Sequence, residues 1–178
     1  MSETVQQYIA RITGFVGTED PLAIIEATPS KIAEAVQGLP AAALDYKPSP
    51  EKWSIRQQLA HLADAELQMG ARFRWSAAEP GKQIVAFDQD KWAATAKYGS
   101  TPVDLSLTTF TAARKWTIAF VRSLSAGERE NAFIMHEERG KETLQRLMTM
   151  MAGHDLNHLK QIAELREASG QANRAGHV

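Results

Sequence analysis

Two histidines four residues apart, His154 and His158, have the spacing in this sequence that points most directly to chemistry. On an α-helix with about 3.6 residues per turn, this spacing places both imidazoles on one face, where they can bind a single metal ion. A third ligand must come from another segment. We expect His61 to supply it, because it lies on a second predicted helix with Asp64 one turn later.

The C-terminal helix gives a physical reason to expect a site. Its inward seam follows alternating spacings of three and four residues through Leu144, Leu147, Met151, His154, His158, Gln161 and Leu165. Burying an unpartnered imidazole or amide costs about 1 to 3 kcal/mol, so the polar residues of this seam need a common partner. A metal ion held by three neutral imidazoles is such a partner, and it keeps a coordination position open for a reactive water. Hydrogen-bonded core histidines are the alternative.

Several other side chains are candidates for roles near these histidines. Asp64, Asp155 and Gln161 could orient the imidazoles or a bound water through hydrogen bonds, although Asp64 could equally be a solvated helix carboxylate. Trp53 and Trp92 either wall a substrate pocket or pack in the core.

Other metal-site patterns fit poorly. The zincin motif places Glu after its first histidine, where this chain has Asp155, whose shorter side chain would be a poorly placed base. Di-iron bundles need Glu-x-x-His, which this sequence lacks. We expect His136 to be a loop residue, in a loop that could approach the site, and His177 to lie in solvent near the terminus.

Composition limits the classes of protein. The 178 residues, 44% hydrophobic, fit one domain over residues 1–178. Without cysteine, only imidazole and carboxylate remain as strong metal ligands. A net charge of −1 without basic clusters argues against binding to nucleic acid. We find neither a signal peptide nor a long apolar run, so we expect no membrane association and a cytoplasmic location.

Capping signals predict the long helices. Ser54 and Gln57 form a capping box for a helix that runs to about Ala78, and a further long helix opens after Thr101-Pro102. Thr143 is expected to cap a last helix that ends near Ser169, before Gly170.

The remaining segments are predicted as follows. Residues 3–38 favour a short helix and then a longer one that Pro29 bends or restarts. Residues 80–101 form a long link with a helical turn or two at Asp88 to Lys97, and residues 125–142 are irregular. We find no convincing strand. Four helical segments with one apolar stripe each favour an antiparallel bundle, so the fold is predicted to be all-α.

Two motifs resemble those of the DinB/YfiT-like superfamily. The run from Lys52 to Glu66, KWSIRQQLAHLADAE, is similar to the family's Trp-Ser segment and its helix with a ligand histidine. The run from Gly153 to Ile162, GHDLNHLKQI, is similar to the family's closing His-x-x-x-His-x-x-Gln motif. The resemblance covers about residues 20–168, with the motifs in the same order.

This resemblance implies a four-helix bundle that holds a divalent metal, usually zinc or nickel, at His61, His154 and His158. It also implies small-molecule chemistry, as a hydrolase or as a transferase that uses a low-molecular-weight thiol cosubstrate, and assembly as a homodimer. The alternative is a noncatalytic, dimeric metal-binding or stress-response protein.

Overall fold

The computed structural model of the chain describes residues 3–175, and these are mostly helical. In chain order, the α-helices in this range are α1 (Val5–Val16), α2 (Pro21–Val36), α3 (Ala41–Asp45), α4 (Ile55–Ala78), α5 (Gln89–Thr95), α6 (Val103–Ser123), α7 (Ala126–Asn131) and α8 (Leu144–Ala175). The four longest pack in a closed ring, α2 on α8, α8 on α4, α4 on α6 and α6 on α2, while α1 lies against α8. The predicted all-α four-helix bundle is confirmed.

The long helices begin where their capping residues predict. The Ser54 hydroxyl accepts the Gln57 N–H at 3.3 Å, and the Gln57 side chain accepts the Ser54 N–H at 3.0 Å. At the start of α8, the Thr143 hydroxyl accepts the Arg146 N–H at 3.2 Å. These bonds satisfy backbone donors that have no partner in the first turn of a helix. The predicted start and end of α4 are both confirmed.

Pro29 does not restart α2, which is helical from Pro21 to Val36. Because proline has no N–H, the carbonyl of Ile25 lacks its usual partner four residues later. The Arg114 guanidinium donates to this carbonyl at 2.6 Å instead. A bond from α6 therefore replaces the backbone bond that Pro29 removes.

The predicted end of α8 near Ser169 is wrong, since the helix continues through Gly170 to Ala175. Gly170 has no positive φ, so it does not form the left-handed cap that the prediction required. A glycine inside a helix costs only about 1 kcal/mol relative to alanine. Packing of the buried residues Leu165 and Ser169 holds this end of α8 in place.

The expectation of no strand is also wrong. A three-stranded sheet joins β1 (Lys82–Ile84), β2 (Phe133–His136) and β3 (Gly140–Thr143), with β1 parallel and β3 antiparallel to the central β2. Strands of three or four residues are too short to show a period of two in a sequence. The segment 125–142, predicted to be irregular, thus contains α7 and two strands, whereas the helical turn predicted in the 80–101 link is confirmed as α5.

The histidine pair of α8 lies between two clusters of buried apolar side chains. Met151, before the pair, belongs to a cluster with Phe73 and Ile134. Ile162, after the pair, belongs to a second cluster with Leu59. No helix within residues 3–175 is long and apolar enough to cross a lipid bilayer.

Candidate metal centre

The structure brings together the three histidines that the sequence singled out. His61 projects from α4, and His154 and His158 project from successive turns of α8. The Nε2 atom of His154 lies 3.0 Å from Nε2 of His61 and 3.1 Å from Nε2 of His158. One nitrogen from each ring lies within 4.8 Å of the other two. His61 and His158 are buried, while His154 is half-buried.

Gln58 determines which nitrogen of His158 carries the proton. Its side-chain amide donates to the Gln161 oxygen at 2.8 Å, so its own oxygen faces Nδ1 of His158 and accepts a hydrogen bond from it. Nε2 of His158 therefore presents a lone pair to the other two rings. Gln161 thus acts on His158 through Gln58. Gln58 was not among the predicted site residues, although an amide one turn before His61 on an apolar helix face was a usable signal.

All three imidazoles are neutral near pH 7. Burial lowers the pKa of His61 to about 3, with a smaller contribution from His154. Burial also lowers the pKa of His154 to about 4, helped by the Arg114 charge. The pKa of His158 lies well below 6.5, mainly through burial and then through the other two histidines. Neutral rings are the form that binds metal.

Asp155 pairs with an arginine. Its buried carboxylate accepts from Arg114 Nη1 at 2.6 Å and from Nη2 at 3.1 Å, and Glu66 accepts from Arg114 Nε at 2.7 Å. Burial alone would lower the pKa of Arg114, but the two carboxylates raise it above its ordinary value. Asp155 therefore anchors the helix that carries His154.

Asp64 is connected to His61 through Tyr98 and Trp53. The Tyr98 hydroxyl donates to its carboxylate at 2.6 Å, and the Tyr98 ring packs edge-on against Trp53 at 6.1 Å between centroids. Trp53 in turn lies 4.9 Å from the His61 ring. Trp92 is 36% exposed and packs on Phe87 rather than near the histidines.

Two cavities border the histidines. A cavity of about 350 Å³ is lined by His61 and His154, and by side chains of α1, α4, α6, α8 and the segment from β1 to β3. A second, of about 640 Å³, is lined by Trp53, Gln58, His158 and Gln161. A metal ion bound by the three nitrogens would therefore have space for a further ligand in the cavity beside His61 and His154.

The two remaining histidines have different outcomes. His136 is not a loop residue, because it ends β2, is only 2% exposed and lines the smaller cavity. His136 pairs with Gly140 across the hairpin of β2 and β3. Because these strands are too short to be recognised in the sequence, this position of His136 was not predicted. His177 lies outside the described residues.

Relatives of the chain carry names that refer to metal. A protein of Geobacillus kaustophilus named "Putative metal-dependent hydrolase" is 28% identical over 149 residues, covering 84% of each chain. One of Bacillus mycoides with the same description is 29% identical over 143 residues, covering 80% of this chain and 82% of the relative.

A solved structure and a family profile also match. YfiT from Bacillus subtilis, described as "a probable metal-dependent hydrolase with an unusual four-helix bundle topology", aligns with a TM-score of 0.77 at 22% identity. The alignment covers 95% of this chain and 91% of YfiT, and it shows a shared fold. The profile of the DinB superfamily matches residues 24–162, and the chain therefore belongs to the DinB superfamily.

Proposed function

We propose that His61, His154 and His158 hold one divalent metal ion, zinc or nickel, and that the protein is a metal-dependent hydrolase of small molecules. The observation that carries this proposal is the convergence of the three Nε2 atoms at the edge of a cavity. The names of the relatives agree with it.

The donor set suits such an ion. Two nitrogens bound to one zinc ion lie at most about 4.2 Å apart, because each Zn–N bond is about 2.1 Å long. The two separations that involve His154, 3.0 Å and 3.1 Å, fall within this limit. Nε2 of His158 also presents its lone pair to the other rings, an arrangement that a shared cation stabilises.

The surrounding residues position the histidines and line the cavity beside them. A divalent ion with an open position lowers the pKa of a bound water to about 7, which makes hydroxide available near neutral pH. Gln58 holds His158 in the tautomer that leaves Nε2 free. The ion pair between Asp155 and Arg114 fixes the helix under His154. Leu147 and Met151 contribute apolar surface to the cavity.

Thiol-dependent transfer, the homodimer and the cytoplasmic location stay predictions. We favour hydrolysis because the names of the relatives mention hydrolysis. A set of activated esters and amides, assayed with and without an added low-molecular-weight thiol, separates the two reactions. Turnover without thiol supports hydrolysis, and turnover that requires thiol supports transfer.

Elemental analysis of protein purified without a histidine tag tests the metal site. We expect about one divalent ion per chain, and its loss from His154→Ala. His136→Gln is the matched control, since this histidine lines the same cavity but lies outside the three-histidine cluster, and it should keep its metal. A metal-free wild-type protein, or unchanged metal in His154→Ala, contradicts the proposal. Metal with no turnover of any substrate favours the noncatalytic alternative.

A further inference from the structure

We propose that Arg72 and His136 bind a carboxylate group, and that the substrate is therefore a small acid with an apolar middle and a reactive bond at the other end. Both residues line the cavity that reaches His61 and His154. The assignment of the reactive end rests on the proposed function. The assignment of the carboxylate site rests on the cavity itself.

Arg72 is a buried cation without a counter-ion. Its side chain belongs to a residue only 5% exposed, and its guanidinium forms no ion pair with any described side chain. Nη2 donates to the Val85 carbonyl at 3.3 Å, and Nε is buried without a partner. Buried charges in proteins are normally paired, so we expect the Arg72 guanidinium to bind an anion from outside the chain.

The other arginines at this cavity are paired. Arg114 is held by two carboxylates, and Arg139 forms a two-pronged pair with Glu142, at 2.8 Å and 2.9 Å. Burial lowers the pKa of Arg72, the Arg139 charge lowers it further, and the Glu142 carboxylate raises it. Arg72 is thus the one arginine lining this cavity that has no carboxylate partner among the described residues, although Glu66, Glu138 and Asp155 line the cavity as well. An unpaired guanidinium can bind a carboxylate with two parallel hydrogen bonds.

His136 supplies a second donor. Its Nδ1 accepts the backbone N–H of Glu138 at 3.2 Å, so the ring proton resides on Nε2. Nε2 is buried and has no hydrogen-bond partner among the described residues. Burial, the Arg139 charge and the Arg72 charge lower the pKa of His136, while Glu142 and Glu138 raise it. Two residues that line one cavity therefore each have a buried donor without an acceptor among the described residues.

An apolar stripe joins this wall to the histidine cluster. His61 and Arg72 are eleven residues apart on α4, which is about three turns, so they lie on the same face of the helix. Leu62, Ala65 and Met69 line the cavity between them. The Cα atoms of His61 and Arg72 are therefore about 16 Å apart along the axis, at 1.5 Å per residue.

These positions define a class of substrate. The carboxylate and the reactive bond must be separated by an apolar chain or ring, because the two ends of the stripe are several residues apart. A cavity of about 350 Å³ fits a molecule of small-metabolite size. Acids that carry an ester or amide bond at the far end meet both conditions.

Hexanoate, titrated into the metal-loaded protein by calorimetry, tests the carboxylate site. We expect Arg72→Met to weaken its binding by at least about tenfold, as the loss of a charge-assisted hydrogen bond implies. The neutral analogue hexanamide should bind both proteins equally. Arg74→Met is the matched control, since Arg74 is on the same helix, bonds the Gly70 carbonyl at 2.8 Å and lies outside the cavity lining.

Further ligands and a second variant make the test decisive. Acetate, which lacks the apolar chain, should bind more weakly than hexanoate, and so should inorganic phosphate. Arg72→Lys keeps the charge without the two-pronged geometry and should give an intermediate affinity. Hexanoate should also raise the Tm of the wild-type protein but not that of Arg72→Met.

Three results overturn the inference: no saturable binding of hexanoate to the wild-type protein, wild-type affinity in both Arg72 variants, or tighter binding of phosphate than of hexanoate. Metal analysis of the same samples keeps the two proposals apart. Arg72→Met should retain its ion, because Arg72 is about three turns from His61. If the purified wild-type protein contains no metal but still binds hexanoate, the result contradicts the proposed function and leaves the carboxylate site supported.

Discussion

The carboxylate of Asp155 lies 2.6 Å from Nη1 of Arg114, and both side chains are 1% exposed. The same guanidinium bonds Glu66 on α4 and the Ile25 carbonyl on α2. One arginine of α6 therefore contacts all three other helices of the bundle. Because Asp155 follows His154 directly, this network sets how α8 presents its histidines to His61.

Asp155→Asn should lower the free energy of unfolding by about 3 to 5 kcal/mol, because it leaves Arg114 partly uncompensated in the interior. Metal affinity should fall as well, since α8 loses its anchor beside His154. Urea unfolding and metal titration measure the two effects. Glu26→Gln is the control: its pair with Arg122 is exposed, so its loss should cost less than about 1 kcal/mol. Equal costs for the two variants would contradict this account of the network.

Gln58→Leu should reduce metal affinity by about 10-fold to 100-fold and leave the fold intact. The substitution removes the acceptor that holds the proton on Nδ1 of His158, and supporting hydrogen bonds of this kind have effects of that size. Competition with a chromophoric chelator gives the affinity. Gln58→Glu, which keeps an acceptor at the same place, should bind metal more tightly than Gln58→Leu, and the reverse order would refute the proposed tautomer control.

The histidine cluster could be predicted because helical periodicity acts over short distances in the sequence. The spacing of His154 and His158 defines a shared face, and His61 was expected as the third ligand from its predicted helix and from the family resemblance. The bond between Gln58 and His158 joins residues 100 positions apart, and no local pattern encodes it. Asp64 and Asp155 were candidates for contacts with imidazoles, but the structure pairs them with Tyr98 and Arg114.

Arg72 shows the other limit of sequence analysis. An arginine on a long helix usually faces solvent, with its charge hydrated. The strand β2, which lies about 60 residues later, packs against α4 and helps bury it. Strands this short carry no readable period, so neither the sheet nor the buried cation could be inferred from the sequence.

Gly153→Ala should destabilise the protein by about 1 to 3 kcal/mol. A Cβ at residue 153 would overlap the backbone carbonyl of Ile12, and α1 would have to move away from α8. Gly170→Ala is a control in the same helix: no atom lies within 4 Å of its added Cβ, so it should stabilise by about 0.5 to 1 kcal/mol. Thermal unfolding of both variants checks the opposite signs. A neutral Gly153→Ala would show that α1 does not pack closely on α8 in solution.

The metal-free protein should lose stability as the pH falls below about 6.5. Burial lowers the pKa of His61 to about 3, whereas the unfolded chain has the ordinary value of 6.5. Between these values the unfolded state binds more protons, so stability rises with pH and is lost on acidification. At about pH 4.5 the loss from His61 alone is about 2 to 3 kcal/mol, and His154, which is half-buried, adds a smaller amount. Urea unfolding of the metal-free protein near neutral pH and at about pH 4.5 measures this loss. His61→Gln should flatten the dependence, and an identical pH dependence in this variant would show that His61 is not the group responsible.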